Sequence, residues 1–180
     1  LVALWGEQIV PARISEVVAG CSTYLQRTTA ASAESRRRLD GAPVGFHDVA
    51  SADDLLDLLA AGRIVLRSAE RRKAVVEQAE KLAASVGGVI DFEDNVALVD
   101  EITNLVEEPV GVLGSFDKRY LELPDRILVS VMAKHQRYLP VRDAEGGLLP
   151  YFVTMANGVC DETVVAAGNE SVLRARYEDA

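Results

Sequence analysis

His135, Gln136, Arg137 and Tyr138, with Lys134 just before them and Arg142 a few residues on, are the side chains whose types and spacing could do chemistry. A guanidinium forks onto phosphate oxygens or stacks on a base, and histidine and tyrosine offer flat faces to unpaired nucleotides. Against a background of 28 Asp plus Glu and only 19 Lys plus Arg, this local group of cations is the best candidate for an RNA contact. A structural reading stands beside it. Lys134, His135 and Arg137 suit a helix C-terminus, where cations oppose the negative end of the dipole, and Arg142 has Asp143 and Glu145 nearby for salt bridging. Histidine is the residue type most often used for acid-base work, yet no motif supplies a partner for His135.

Gly168-Asn169-Glu170, read as a turn, leads into Arg174 and Arg176. Glu170 and Arg174 stand four apart, an acid-base pair contributing about 0.3 kcal/mol on a helix, so structural support accounts for them as well as function does. Two acidic groups, Asp53-Asp54-Asp57 and Asp91-Glu93-Asp94, invite a metal. The first fits a helix start, and the second lacks the alternating oxygens and closing Glu of a calcium loop, so both are read as solvated acids. His47 and Asp48 could pair, but no serine sits in a GxSxG elbow and no glycine-rich loop cradles a phosphate. We expect no catalytic residue and no metal site.

These side chains need elements to hold them. Leu1 to Trp5 and Gln8 to Val10 read as strands reversing at Gly6, and Ser22 to Arg38 as a loop or a helix with a thin apolar stripe. Ser51 to Ala61 is a helix capped by Ser51, with Asp53 and Asp54 in its first turn and Gly62 at its end. Ile64 to Leu66 reads as a strand. Ser68 then caps a helix to about Val86 with Val75, Ala79, Leu82 and Val86 on one side, closed by Gly87-Gly88. Further readings are a strand Val89 to Phe92, a helix Asn95 to Glu107, a strand Val110 to Phe116, and a helix from Pro124 with Ile127, Leu128, Val131 and Met132 apolar. A hairpin pairs Val141-Arg142-Asp143 with Tyr151 to Met155 across Gly146-Gly147, and Asp161 to Ala180 is a closing helix. Hairpins among interleaved helices favour α+β with a mixed sheet and packed helices.

At 180 residues the chain reads as a single domain, 1–180, with a helical sub-region at about 51–107 between strand-rich parts, and needs no staple for its core. Leu1 opens inside an apolar run and Ala180 closes a charge-rich helix, so a piece of a longer chain is expected. The net charge of −9 argues against coating RNA broadly; any contact must be a local basic patch. Cys21 and Cys160 have no CxxC partner, which suits reduced thiols and a cytoplasmic location. No stretch approaches the roughly 18 apolar residues of a membrane span, so no membrane is expected.

Taken in order, His135-Gln136-Arg137-Tyr138, Pro140-Val141-Arg142-Asp143, Ala156-Asn157-Gly158, Gly168-Asn169-Glu170 and Arg174-Ala175-Arg176 give the chain its likeness. It resembles the β subunit of bacterial glycyl-tRNA synthetase. Fainter likeness upstream includes the helix start at Ser51, Glu70 to Lys73, and Val99-Asp100-Glu101. Between Gly20 and Phe46 the chain departs from the family, lacking the usual His-Arg pair there. The resemblance implies a fold similar to the B3/B4 module of the phenylalanyl-tRNA synthetase β subunit. It implies an α-subunit partner in an α2β2-type assembly, tRNA(Gly) as the RNA, and a ligase whose ATP and Mg are used by the α subunit, with no cofactor in this segment. Lys134, His135, Gln136, Arg137, Arg142, Asn157, Arg174 and Arg176 become its RNA-contact candidates. Two alternatives follow: a hydrolytic editing domain for mischarged tRNA, with His135 and Asn157 as candidates, or a purely structural inter-subunit domain.

Overall fold

The computed structural model describes residues 1–25, 43 and 45–179, and it divides into two compact units, Leu1–Leu66 and Arg67–Ala180. Arg36-Arg37-Arg38, and most of the segment that departs from the family, lie outside the described residues.

The first unit is built from short antiparallel pairs. β1 (Leu4–Trp5) pairs with β2 (Gln8–Ile9) around Gly6, which takes a positive φ of 58°. β3 (Arg13–Ile14) pairs with β4 (Val17–Val18), and β5 (Ser22–Leu25) with β6 (Gly45–Asp48). The start of the Ser22–Arg38 stretch is therefore a strand, not a loop or helix. α1 (Ala52–Ala61) begins as its sequence predicts: Ser51 Oγ accepts from the Asp54 amide at 3.0 Å, and Asp54 Oδ2 accepts from the Ala50 amide at 2.7 Å. At its end the left-handed residue is Arg63, φ 60°, rather than Gly62. Ile64 to Leu66 forms no strand.

The second unit is a three-stranded sheet with helices on both faces. β7 (Pro109–Ser115), β9 (Leu148–Asn157) and β8 (Leu139–Arg142) lie in the order β7-β9-β8, both pairings antiparallel. The expected α+β class holds, but the sheet is antiparallel and not mixed. β9 explains the layering, because alternate residues of a strand point to opposite faces. Val153 joins Leu139 and Val141 of β8 against Val75, Ala79 and Ala83 of α2 (Ser68–Ser85) and Leu98, Val99 and Ile102 of α3 (Val96–Leu105). Phe152 and Leu148 join Leu128 of α4 (Asp125–Ser130), Met132, Tyr138, and Leu173 and Tyr177 of α5 (Glu162–Glu178). Each fully buried Leu, Val or Phe contributes about 1.5–3 kcal/mol relative to exposure.

Several local expectations need correction. Ser68 is the first residue of α2 rather than its cap, since the capping position is Arg67, whose side chain makes no capping hydrogen bond. Val89 to Phe92 is not a strand; Val89 only bridges Arg142. Gly168-Asn169-Glu170 is not a turn but lies inside α5, whose start is capped by Asp161. No helix among the described residues is long and apolar enough to cross a membrane.

Candidate functional site

The helix opened by Asp125 does not run on as an α-helix. From Val131 to Gln136 it widens into a π turn, ended by Arg137 in the left-handed conformation at φ 57° and ψ 40°. The Tyr138 amide reaches back to the Met132 carbonyl at 2.9 Å. Buried Tyr138 stacks on Phe152, ring centroids 4.6 Å apart, while Met132 is fully buried on the same side of the sheet. Those anchors hold the turn so that Lys134 and His135 project into solvent and Gln136 is half-buried. π turns are rare and gather at functional sites, and a left-handed arginine costs about 1–2 kcal/mol, which packing must offset.

The remaining candidates divide by what already holds them. Arg137 Nε donates to Glu101 Oε1 at 2.8 Å. Arg142 Nη1 donates to Asp125 Oδ2 at 3.2 Å and to the Gly146 carbonyl at 2.8 Å, so its acid partner is Asp125 and not Asp143 or Glu145. Asp143 instead accepts from the amides of Glu145 and Gly147 and shapes the hairpin turn. Asn157 Oδ1 accepts from the amides of Glu107 at 2.8 Å and Glu108 at 3.1 Å, clamping the passage from α3 into β7. Arg174 and Arg176 are exposed on α5.

The expected pair between Glu170 and Arg174 is not made. Glu170 Oε1 accepts from both the amide and the hydroxyl of Ser115, at 2.8 and 2.9 Å, in a half-buried setting. Two donors there outweigh one exposed ion pair. Arg174 consequently stands over a cleft of about 520 Å³ lined by Ser115, Asp117, Arg119, Glu170, Ser171 and Arg174 itself. Sequence reading missed Ser115 and Arg119, and no local pattern marks them. Arg119 is anchored: its Nη2 donates to Tyr120 Oη at 2.8 Å and to Glu178 Oε1 at 3.1 Å, and its guanidinium sits 4.8 Å from the Tyr120 ring centre. The hydrogen bond with Tyr120 pushes its pKa further up, so it stays a cation.

Other candidates found structural partners. Asp48 accepts from Ser22 Oγ, and Asp91 Oδ1 from the Asp94 amide. No group of three or more potential metal ligands occurs among the described residues. Both cysteines are free thiols, and burial, with Glu162 and Asp161 adding to it, pushes the Cys160 thiol up.

The whole chain, residues 1–180, matches the family described as glycyl-tRNA synthetase beta subunit. This chain belongs to that family. Among its relatives, it is 39% identical over 185 residues to the glycine–tRNA ligase beta subunit of Syntrophus aciditrophicus, covering 100% of this chain and 24% of that one. It is 38% identical over 181 residues to that of Listeria monocytogenes, again with 100% and 24% covered. It is 39% identical over 181 residues to the chloroplastic/mitochondrial glycine–tRNA ligase 2 of Arabidopsis thaliana, covering 100% of this chain and 16% of the relative. A segment of the glycyl-tRNA synthetase β family thus spans about a quarter or less of these curated relatives.

Proposed function

We propose that this chain is part of the β subunit of a glycine–tRNA ligase, joining glycine to tRNA(Gly) with ATP, and that it serves tRNA recognition rather than adenylate chemistry. The observation that carries the ligase reading is the family match along the whole chain. ATP and Mg are assigned to the α subunit, an α2β2-type assembly to the enzyme, and the cytoplasm to its location. A likeness of the fold to the B3/B4 module belongs to the same proposal, supported by an antiparallel sheet with helices on both faces in residues 67–180.

Within that reading, architecture claims Arg137, Arg142 and Asn157, whose polar groups hold Glu101, Asp125 and the Glu107 and Glu108 amides. tRNA contact is assigned to exposed Lys134 and His135 on the π turn, and to Arg174 and Arg176. Exposed basic side chains without structural duty are what a local phosphate contact needs in an acidic chain.

The test is glycylation by the full α/β enzyme carrying Lys134→Ala with His135→Ala, beside Arg142→Ala, with tRNA affinity measured at two salt concentrations. A raised KM for tRNA in the first variant, with unchanged thermal stability, supports recognition. Unchanged KM and affinity transfer the segment to inter-subunit architecture. A wild-type complex unable to charge tRNA would remove the ligase reading itself.

A further inference from the structure

Three features meet at the cleft between the end of β7, the 3₁₀ turn Lys118–Glu122 and α5. One wall carries Ser115, Asp117 and Arg119, and the other carries Glu170, Ser171 and Arg174. Its acids are already engaged: Glu170 by Ser115, and Asp117 by the Arg119 amide at 3.0 Å, with the Arg119 Nε 3.6 Å away. Glu178 takes both Arg119 and the Tyr120 hydroxyl. Ser171 donates to the Ala167 carbonyl at 2.9 Å, which orients its oxygen on the helix surface. The side chain of Arg174, by contrast, makes no hydrogen bond or ion pair among the described residues.

A guanidinium offers five donors in a fixed fork that matches a phosphate. We propose that this cleft is a phosphate subsite for RNA, with Arg174 as the ligating residue and Arg119 as a fixed second cation on the facing wall. The aromatic rings beside it, Phe116 and Tyr120, are buried, so no base can stack on them. The subsite therefore reads the sugar-phosphate backbone and not sequence. The Ser115–Glu170 link is its positioning device, because it draws the carboxylate one helical turn from Arg174 toward the strand end. This proposal rests on the tRNA-recognition reading and gives it a second foothold, separate in sequence from Lys134 and His135.

The experiment compares Arg174→Ala, Arg174→Glu and Arg174→Lys in the full α/β enzyme, reading tRNA affinity across a salt series, subunit association by sedimentation, and thermal stability. Arg174→Ala should weaken tRNA binding about 2- to 5-fold near physiological salt and reduce the slope of log K against log salt by about one. Arg174→Glu should weaken it further, and Arg174→Lys should recover part of the loss. Wild-type tRNA binding with affinity and slope unchanged in all three variants overturns the subsite and leaves the wider reading standing. Absence of tRNA binding by the wild-type complex overturns both. A loss of α–β association in Arg174→Glu, with tRNA affinity intact, assigns the cation to a protein carboxylate and also overturns it.

Discussion

Glu170 on α5 receives two hydrogen bonds from one residue of β7, the Ser115 amide at 2.8 Å and the Ser115 hydroxyl at 2.9 Å, both on the same carboxylate oxygen. The strand end and the helix are fastened at 55 residues' separation. Charge-assisted bonds of this kind contribute about 1.5–3 kcal/mol each where water is partly excluded. Ser115→Ala and Glu170→Ala should each destabilise the protein, and a double-mutant cycle in urea should return a coupling of about 1–2 kcal/mol. Simple additivity of the two changes would refute the link.

Asn157 has a comparable role at the other end of β7. Its carbonyl accepts from two consecutive amides, and no aliphatic side chain can replace that. Asn157→Ala should cost about 1–3 kcal/mol, the desolvation penalty of amides left unpaired, while Asn157→Asp keeps the acceptor and should cost less. Thermal unfolding of the three proteins gives the order, and equal melting temperatures would show that water serves the amides as well.

What the sequence made legible was what local pattern encodes. Val75 and Ala79, read onto one side of α2, are buried there, but Ala83 completes that face where Leu82 and Val86 were expected and these two are only partly buried; Gly146-Gly147 marks the β8–β9 hairpin. Ile64 to Leu66 misled because three apolar residues imitate a strand whether or not a partner strand exists. β3 and β4 went unseen for the opposite reason: their four residues are all exposed, so no burial alternation betrays them. The candidate site divides the same way. Residue types pointed to Arg137, Arg142 and Arg174, but their fates depend on Glu101, 36 positions away, on Asp125, 17 away, and on Ser115 taking Glu170 from the opposite wall. Only the fold supplies such partners.

Two glycines should respond to alanine with opposite signs. A Cβ on Gly114 would enter the ring of Phe152, which is fully buried and stacked on Tyr138 and cannot retreat. Gly114→Ala should therefore destabilise by about 1–3 kcal/mol through overpacking. Gly168, inside α5, has nothing near its missing Cβ. Gly168→Ala should stabilise by about 0.5–1 kcal/mol, since glycine gives up more backbone entropy in a helix. Urea midpoints decide both, and a stabilised Gly114→Ala would contradict the packing of β7 on β9.

Alkaline pH should loosen the second unit through Tyr177. Its ring lies edge-on to Phe116 at 5.5 Å and tilted against Tyr120 at 5.3 Å, and its hydroxyl donates to the Leu128 carbonyl at 3.4 Å. Burial pushes its phenol well above the ordinary tyrosine value, and pushes Tyr138 in the same direction. In the unfolded chain the phenol loses its proton near about pH 10, whereas the folded chain still holds it. The resulting stability is complete below that unfolded value and is lost as pH rises above it toward the folded value, because the native state then binds more protons than the unfolded one. Stability to urea should begin to fall near about pH 10 and go on falling as the pH rises further. Tyr177→Phe keeps the ring packing, loses one long hydrogen bond at a cost below about 1 kcal/mol at neutral pH, and should flatten the alkaline fall without abolishing it, Tyr138 remaining. An identical alkaline slope in wild type and Tyr177→Phe would mean that the phenol ionises in the folded protein as easily as in water, and that this face of the core admits solvent.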